Sequence, residues 1–323
     1  MWLLPFLSEV SRFAASTFYR LQIIGPEVPA TGPLLLLANH PNSLLDPALV
    51  AAAAGRRVRF LAKSTLFTDL RVGWLGRGSG AIPVYRRSDE AAAASRNVDM
   101  FAAVFEELGA GAAVGIFPEG ISHDQPRLAR LKTGSARIAL GAYSRHGSTF
   151  PIIPIGLVLR QKGVFRSPAL VVRGTAVDWG DLGGRAPEDQ AAVRELTERI
   201  DEALRAVTVN LDQWEDRPLV EAAAGVWSSE IGGQGDEVEQ LKRSQTAARV
   251  LADLRRAGDG RAKRLARQVQ HHRRRLQRLG LTPADLDALV DLATGAGWTA
   301  RRLHLLIPPS IAVAVVSSIV FWI

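Results

Sequence analysis

Short apolar runs alternate with longer amphipathic stretches in the first half of the chain, and this alternation constrains the fold more than any other feature of the sequence. The clearest helical pattern is 88–108, where Val98, Phe101, Phe105 and Leu108 form one apolar face. Alternating strands and helices are typical of sheets whose strands run parallel. The predicted strands are 34–38, 58–62, 82–84, 113–117, 152–159 and 169–172. The sequence therefore predicts an α/β fold with a mostly parallel sheet flanked by helices.

The second half of the chain lacks strand patterns and predicts a helical C-terminal region. Helical patterns cover 187–207, 237–257 and 261–279, with a glycine-rich hinge at 232–235. A chain of 323 residues is long for one domain, so we expect one sizeable domain and an appendage. The predicted divisions are an amphipathic N-terminal helix at 1–20, the core domain at 21–215, a basic helical region at 216–302 and a membrane-associated segment at 303–323.

Both ends of the chain are apolar enough to meet a membrane. The N-terminal stripe, which includes Phe6, Val10 and Phe13, suits a helix that either packs on the core or lies at a membrane surface. Segment 303–323 carries no Asp, Glu, Lys or Arg, and prolines interrupt it. Its last uninterrupted part spans about 21 Å, against roughly 30 Å for a bilayer core. This segment is predicted to continue beyond the chain, to re-enter the membrane or to lie at its interface.

The net charge of +8, which comes mostly from arginine, favours anionic partners. The densest basic run, 261–278, contains Arg273, Arg274 and Arg275. This run suits a solvated helix face or an anionic membrane surface, and we expect no nucleic acid because no recognition motif accompanies it. The chain has no cysteine, which excludes thiolate chemistry. Its N-terminus does not resemble a signal peptide, so we expect a membrane-associated protein with its active domain on the cytoplasmic side.

His40 and Asp46 follow the first predicted strand, where ligand sites form in open α/β sheets. On a continuous helix two residues six apart lie about 120° apart and could not meet. Pro41 disfavours helical dihedrals at His40, so a turn could bring the imidazole back to the carboxylate. The pair is then a general base and its orienting acid. The alternative is that Ser43 and Asp46 form a helix-capping box and that the histidine is structural.

Two further polar sites follow predicted strands. Arg86 comes directly after the strand at 82–84, and Glu119 and Gly120 follow the strand at 113–117. If these strands run parallel, their ends meet at the same edge of the sheet as His40. An arginine, a histidine–acid pair and an exposed glycine amide together suit a phosphate and a hydroxyl group.

These sites occur in the order of four sequence blocks, and together they resemble the PlsC-like glycerolipid acyltransferase family. The blocks are the His40–Asp46 block, the block that ends at Arg86, the sequence Phe-Pro-Glu-Gly at 117–120 and the sequence Ile-Pro-Ile-Gly at 153–156. The resemblance covers about 21–177. It implies transfer of an acyl chain from a coenzyme A or acyl-carrier-protein thioester, a co-substrate, to glycerol 3-phosphate or 1-acylglycerol 3-phosphate in phospholipid synthesis. No other cofactor and no metal is implied.

The resemblance also assigns roles to residues. His40 is the expected base, Asp46 its orienter and Arg86 the ligand of the acceptor phosphate, while Glu119 and Gly120 shape the acceptor site. The expected partners are therefore an acyl thioester donor, a glycerol phosphate or lysophospholipid acceptor and an anionic membrane surface. The alternative function is a non-catalytic lipid-binding or membrane-scaffolding protein of the same fold.

The chain departs from the family pattern at two points. Five residues separate His40 from Asp46 where the family commonly has four, and Pro83 replaces an aromatic residue. The longer spacing puts the geometry of the pair in question and keeps the non-catalytic alternative open. Two weaker features lie nearby: His123 and Asp124 are predicted to be loop residues, and Lys132 suits either a phosphate ligand or a solvated cation.

Overall fold

The computed structural model describes residues 4–279 except 44, 70–72, 86–92, 160, 231–236 and 259. The strands are β1 (Tyr19–Ile24), β2 (Leu34–Ala38), β3 (Val58–Lys63), β4 (Ile82–Val84), β5 (Ala113–Ile116), β6 (Ile152–Leu159) and β7 (Ser167–Arg173). The helices are α1 (Leu4–Phe18), α2 (Asp46–Ala54), α3 (Ser64–Thr68), α4 (Gly73–Gly78), α5 (Ala93–Gly109), α6 (Gly134–His146), α7 (Gln190–Ala206), α8 (Arg217–Glu230), α9 (Glu237–Arg256) and α10 (Gly260–Leu279).

The strands form one seven-stranded sheet in the order β1-β7-β6-β2-β5-β3-β4. Neighbouring strands are parallel except β6 and β7, which pair antiparallel. The predicted α/β fold with a mostly parallel sheet and flanking helices is therefore confirmed. The predicted apolar membrane segment at 303–323 lies outside the described residues.

Strand β2 is the central strand of the sheet, and apolar layers cover both of its faces. Leu35 and Leu37 pack on one side with helices α5, α6 and α7, whereas Leu34 and Leu36 pack on the other side with α1 and α2. All four side chains are fully buried. A strand that is covered on both faces has no polar face, which explains why the sequence here is a continuous apolar run.

The N-terminal helix ends two residues earlier than predicted and leads directly into an unpredicted strand. Helix α1 ends at Phe18, and β1 pairs with β7 from the register Tyr19↔Ser167 onward. Ala15 is buried against the core, whereas Val10 and Phe13 are exposed. The helix therefore packs on the core through one face only.

Helices α8 and α9 belong with the sheet, since the contacts divide the chain into Met1–Ala257 and Gly258–Ile323. The side chain of Gln245 on α9 donates to the carbonyl oxygens of Ala206 (2.8 Å) and Thr208 (3.0 Å) at the end of α7. Arg255, in the last turn of α9, pairs with the buried carboxylate of Asp216. Helix α9 is thus fixed to the first unit at two points.

Close packing at the end of α7 accounts for one of the sequence blocks. A Cβ atom on Gly156 of β6 would lie 1.8 Å from the carbonyl oxygen of Val207, so only glycine lets the two backbones approach. The glycine of the Ile-Pro-Ile-Gly block therefore allows the C-terminal end of α7 to sit directly on the sheet.

The second unit is described only through α10 and Gly258. Helix α10 exposes the side chains of Arg264, Arg267, Arg274, Arg275 and Arg278, which lie within the predicted region at 216–302. Within the described part of the chain, no helix combines the length and apolarity needed to cross a membrane. The predicted hinge at 232–235 lies outside the described residues.

Candidate active site

The predicted convergence of the polar sites follows from the sheet topology. Strands β2, β5, β3 and β4 pair parallel in that order, so their C-terminal ends lie along one edge. His40 follows β2 at the centre of this edge, and Glu119 follows the neighbouring β5. Arg86, which comes two residues after the end of β4, lies outside the described residues.

His40 and Asp46 are in direct contact. The imidazole Nδ1 lies 2.8 Å from Asp46 Oδ2, and the backbone N–H of Asn42 donates to the same oxygen at 2.7 Å. The loop between them turns at Ser43, whose φ of 44° is left-handed, and at a bond from Leu45 N–H to the Asn42 carbonyl oxygen (3.1 Å). This turn accommodates the fifth intervening residue, so the longer spacing does not separate the pair.

The capping-box alternative is not formed. Helix α2 begins at Asp46 itself, and its N-cap residue, Leu45, makes no side-chain cap. The hydroxyl of Ser43 instead lies 2.9 Å from that of Ser122. The Asp46 carboxylate therefore holds the His40 ring and the turn at Asn42 rather than the free amides of the helix.

Burial makes Asp46 an unusual carboxyl group. Its side chain is fully buried, and desolvation raises its pKa, although the bonds from His40 and Asn42 and the charge of Lys162 partly oppose this rise. Its second oxygen, Oδ1, has no hydrogen-bond partner among the described residues. A carboxylate at Nδ1 selects the tautomer with the proton on that nitrogen, which leaves Nε2 as the acceptor.

The His40 ring is also fixed by its neighbours. It stacks on Phe117 at a centroid distance of 4.0 Å and an interplanar angle of 13°. The preceding residue, Asn39, exchanges two hydrogen bonds with the backbone of Leu157, at 2.7 and 3.0 Å. The Asn39 amide thus extends the pairing of β2 with β6 by one step, after which the chain turns outward at His40.

Glu119 holds two backbone segments of the site in place through hydrogen bonds. Its carboxylate is buried and accepts hydrogen bonds from the backbone N–H of His40 (3.0 Å) and of Ala129 (2.7 Å). It also pairs with His123. Because its oxygens already bind these three groups, Glu119 shapes the site by holding His40 and the loop that contains Ala129.

Gly120 and Lys132 lie together beside this carboxylate. Gly120 has a φ of 68°, and a Cβ atom there would lie 2.7 Å from the Lys132 side-chain nitrogen. A larger residue at 120 would therefore be strained and would displace the lysine. The structure places Lys132 over this glycine at the sheet edge.

His123 and Asp124 lie in a loop, as predicted, and do not form a second dyad. Each nevertheless forms an ion pair with another residue. His123 pairs with Glu119, and its Nδ1 accepts the N–H of Gln125 at 3.1 Å. Asp124 pairs with Lys162 at 2.7 Å. Glu119 and His123 lie in an irregular loop, so their four-residue spacing did not predict this contact.

The turn between His40 and Asp46 is anchored at a buried tyrosine, which sequence reasoning missed. The hydroxyl of Tyr19 donates to the carbonyl oxygen of Lys162 (2.6 Å) and accepts a bond from the Asn42 side chain (2.6 Å). The Lys162 ammonium donates to the carbonyl oxygen of Pro41 (3.0 Å). The first residue of β1 therefore helps to position the loop that carries the pair.

A cavity of about 610 Å³ opens beside His40 and was not predicted from the sequence. Its lining includes residues of strands β6, β7 and β1 and of helices α8 and α9. Its size falls in the range of about 300–1,000 Å³ that is usual for small-molecule sites. Within the described ranges, no group of three or more His, Asp or Glu side chains is placed to hold a metal ion.

Comparison with known proteins identifies a segment of this chain that is similar to acyltransferases. Residues 20–158 match the model of the acyltransferase family. Glycerol-3-phosphate O-acyltransferase 2 of Saccharomyces cerevisiae is 33% identical over 39% of this chain and 18% of its own length. The chloroplastic 1-acyl-sn-glycerol-3-phosphate acyltransferase LPAT1 of Arabidopsis thaliana is 30% identical over 38% of this chain and 33% of its own length.

The crystal structure of the 1-acyl-sn-glycerophosphate acyltransferase of Thermotoga maritima aligns with a TM-score of 0.47 and 20% identity, over 64% of this chain and 78% of that one. The chain spans a third or less of the lengths of the yeast and plant relatives. The family match nevertheless contains the whole edge from His40 to Glu119. Residues 20–158 are therefore similar to the acyltransferase family, and the named relatives include glycerol-3-phosphate and 1-acylglycerol-3-phosphate acyltransferases.

Proposed function

We propose that the chain transfers an acyl group from an acyl thioester to the hydroxyl of a glycerol phosphate-type acceptor. The observation that carries the proposal is the contact between His40 Nδ1 and the buried Asp46 carboxylate at 2.8 Å. The relatives are named for glycerol 3-phosphate and 1-acylglycerol 3-phosphate, which supports an acceptor of this class.

In the proposed reaction His40 acts as a general base through Nε2, which has no hydrogen-bond partner among the described residues. Nε2 takes the proton of the acceptor hydroxyl as its oxygen attacks the thioester carbonyl. The C–S bond then breaks, and the imidazolium returns the proton to the leaving thiolate. The Asp46 carboxylate stabilises the imidazolium that this proton transfer forms, because the two groups then carry opposite charges in direct contact.

The remaining predicted roles are part of the same proposal. Arg86 binds the acceptor phosphate through charge-assisted hydrogen bonds. Glu119 and Gly120 shape the acceptor site, Glu119 through the backbone of His40. The thioester of coenzyme A or of an acyl carrier protein is a co-substrate, and the reaction needs no other cofactor. We further propose that the chain works at a membrane with its active domain on the cytoplasmic side.

The non-catalytic alternative predicts a pair that is out of contact or otherwise engaged. Here the turn at Ser43 brings the ring to the carboxylate despite the longer spacing. The buried Asp46 also has no role in capping α2. These features favour catalysis over a scaffolding role.

Incubation of the purified chain with acyl thioesters and the two acceptors tests the proposal. We expect acylated product from at least one pair, and a loss of about 10²–10⁴ in rate for a folded His40→Ala variant. Circular dichroism of the variant establishes its folding. Near-normal turnover in that variant would sink the mechanism, and the absence of product from every pair would favour the non-catalytic alternative.

A further inference from the structure

The turn between His40 and Asp46 is held by two residues that lie outside the segment matched by the family. That match covers 20–158, whereas Tyr19 precedes it and Lys162 follows it. Tyr19 is the first residue of β1, and Lys162 lies in the loop between β6 and β7. Both residues contact the first two residues of the turn. Sequence on either side of the matched segment therefore supports the proposed base.

We infer that Lys162 is a positioning residue for the proposed base: its ammonium holds the turn between His40 and Asp46, and its charge keeps the Asp46 carboxylate ionised. This inference rests on the proposed acyl transfer. Tyr19 has the complementary role of fixing the backbone of Lys162 to the turn. Neither residue takes part in the proton transfer itself, since both act through the histidine–aspartate pair.

Four hydrogen bonds connect Lys162 and Tyr19 with the turn. The Lys162 Nζ donates to the carbonyl oxygen of Pro41 at 3.0 Å. The carbonyl oxygen of Lys162 accepts from the Tyr19 hydroxyl at 2.6 Å and from the Asn42 side chain at 3.1 Å. The Asn42 side chain also donates to the Tyr19 hydroxyl at 2.6 Å. The turn is thus held at two successive residues.

The same turn carries a contact that orients the carboxylate. The backbone N–H of Asn42 donates at 2.7 Å to Asp46 Oδ2, the oxygen that also lies 2.8 Å from His40 Nδ1. A shift of the turn would therefore move the carboxylate relative to the imidazole. A misplacement of about 1 Å can cost about 10²-fold in rate. The bonds from Lys162 and Tyr19 restrict such shifts, so they affect the rate as well as the stability.

The charge of Lys162 acts on the same carboxylate. Asp46 is fully buried, and burial raises its pKa, whereas the positive charge of Lys162 lowers it. The lysine side chain is 35% exposed and pairs with Asp124 at 2.7 Å, so water and this partner weaken its field. An ionised Asp46 is the form that keeps a proton on His40 Nδ1 and stabilises the imidazolium.

The other titratable groups near the turn are engaged with partners of their own or exposed. Glu119 and His123 pair with each other. Tyr19 is buried, and burial raises the pKa of its hydroxyl, which therefore stays neutral around pH 7. The remaining described charged groups that line the cavity are exposed or paired, namely Arg20, Arg127, Arg217 and Glu221.

The titration of the pair reports the charge beside it. When pH falls, the pair takes up a proton and becomes one unit more positive, whichever of the two groups binds it. A neighbouring ammonium opposes this uptake. Without the ammonium the pair is protonated at a higher pH, and a protonated pair cannot act as the base. Removing the charge of Lys162 must therefore move the acidic limb of the activity profile to higher pH.

The test removes the charge with Lys162→Met and the hydroxyl with Tyr19→Phe. The pH profile of kcat/KM is measured for both variants and the wild-type protein, and circular dichroism establishes folding. In Lys162→Met we expect a loss of about tenfold or more at neutral pH, and an acidic limb that lies higher by about half a pH unit or more. Tyr19→Phe should lose about three- to tenfold, with its limb at the wild-type position.

Two further variants separate the charge from the substitution. Lys242→Met is the matched control, because Lys242 is an exposed lysine on α9 that does not line the cavity. It should keep the wild-type rate and profile. Lys162→Arg keeps a positive charge and should return the acidic limb to its wild-type position, although the different shape of the guanidinium restores only part of the rate.

The outcomes separate this inference from the proposed function. An acidic limb that stays in place in an active, folded Lys162→Met protein overturns the inference and leaves the acyl transfer standing. A wild-type rate in Tyr19→Phe overturns the role of the hydroxyl. Should Lys162→Met not fold, Lys162→Gln removes the same charge and is judged by the same shift.

If the wild-type protein itself does not turn over, the proposed function fails, and the titration of the His40 ring is followed by NMR instead. His40→Ala assigns its signal among the six histidines of the chain. A titration midpoint that rises in Lys162→Met but not in Lys242→Met still supports the role of the lysine charge. Equal midpoints in all three proteins overturn it.

Discussion

Replacing Asp46 by asparagine distinguishes a catalytic pair from a structural one. Asparagine keeps the shape of the side chain and one oxygen acceptor, so it can still accept the N–H of Asn42. Its amide nitrogen, however, can donate to His40 Nδ1 and so reverse the tautomer, and the neutral amide no longer stabilises the imidazolium. We expect kcat to fall by about 10²–10⁴, which corresponds to about 2.7–5.4 kcal/mol of lost transition-state stabilisation.

The same variant should fold at least as well as the wild-type protein at neutral pH. Burial raises the pKa of Asp46 above its ordinary value of 3.8, so folding disfavours the ionised carboxylate. The stability that the protonated carboxyl contributes is full below that ordinary value and is lost as pH rises through the raised pKa. Asparagine does not titrate. The unfolding free energy of Asp46→Asn, relative to wild type, should therefore increase across this pH interval.

Two assays on the same preparations check these expectations. Steady-state transfer gives kcat, with His40→Ala as the reference for a missing base, and urea unfolding at pH 3 and pH 7 gives the relative stability. Full activity combined with a stability loss of about 1 kcal/mol would assign Asp46 to helix capping instead. A relative stability that falls as pH rises would refute the argument from burial.

Three further predictions concern the support of the site, the acceptor and the membrane. Glu119→Gln should lose about 1–3 kcal/mol of unfolding free energy. The single oxygen of the amide cannot accept the hydrogen bonds from the backbone N–H groups of both His40 and Ala129 and also pair with His123. Urea unfolding that matches that of the wild-type protein would contradict this prediction. Arg86→Ala should raise KM for phosphate-bearing acceptors, with partial rescue by lysine, whereas an unchanged KM would assign the arginine to structure. The full chain should float with lipid vesicles, and a chain ending at residue 302 should float less. Salt should weaken only the part of the binding that comes from the basic run at 261–278, which is about 1 kcal/mol per well-placed cation. A full chain that stays in solution at low salt would refute the membrane proposal.

The strands at the centre of the sheet could be predicted from the sequence because their own residues determine them. Leu34–Ala38 and Ile152–Leu159 have the predicted bounds, since strands covered on both faces must be apolar throughout. The strand Tyr19–Ile24 was missed. It is short, follows a helix without a glycine or proline, and is half polar, so only its pairing with β7 makes it a strand.

The candidate site likewise has residues that could be predicted from the sequence and contacts that could not. His40 and Glu119 were found because each lies just after a strand, and parallel strands bring their ends together, whereas Asp46 was found from its spacing to His40. The contact of His123 with Glu119 depends on how one loop folds, and the anchoring by Tyr19 depends on residues far apart in the chain. The wall of α8 and α9 beside His40 depends on tertiary docking, which the helical periodicity of 237–257 does not encode.

The pairing of β1 with β7 affects the synthesis of the protein. The ribosome must add about 150 residues after Tyr19 before its partner Ser167 is made, which takes roughly 7–30 s at about 5–20 residues per second. Throughout that time the exposed edge of β1 is open to pairing with other nascent chains. The Tyr19 hydroxyl likewise cannot form its hydrogen bond to the carbonyl oxygen of Lys162, and so cannot hold the loop of His40 through it, until Lys162 has been synthesised. The loop of His40 therefore gains these contacts only after about half of the 323 residues have been made, and until then the unpaired β1 segment is open to aggregation.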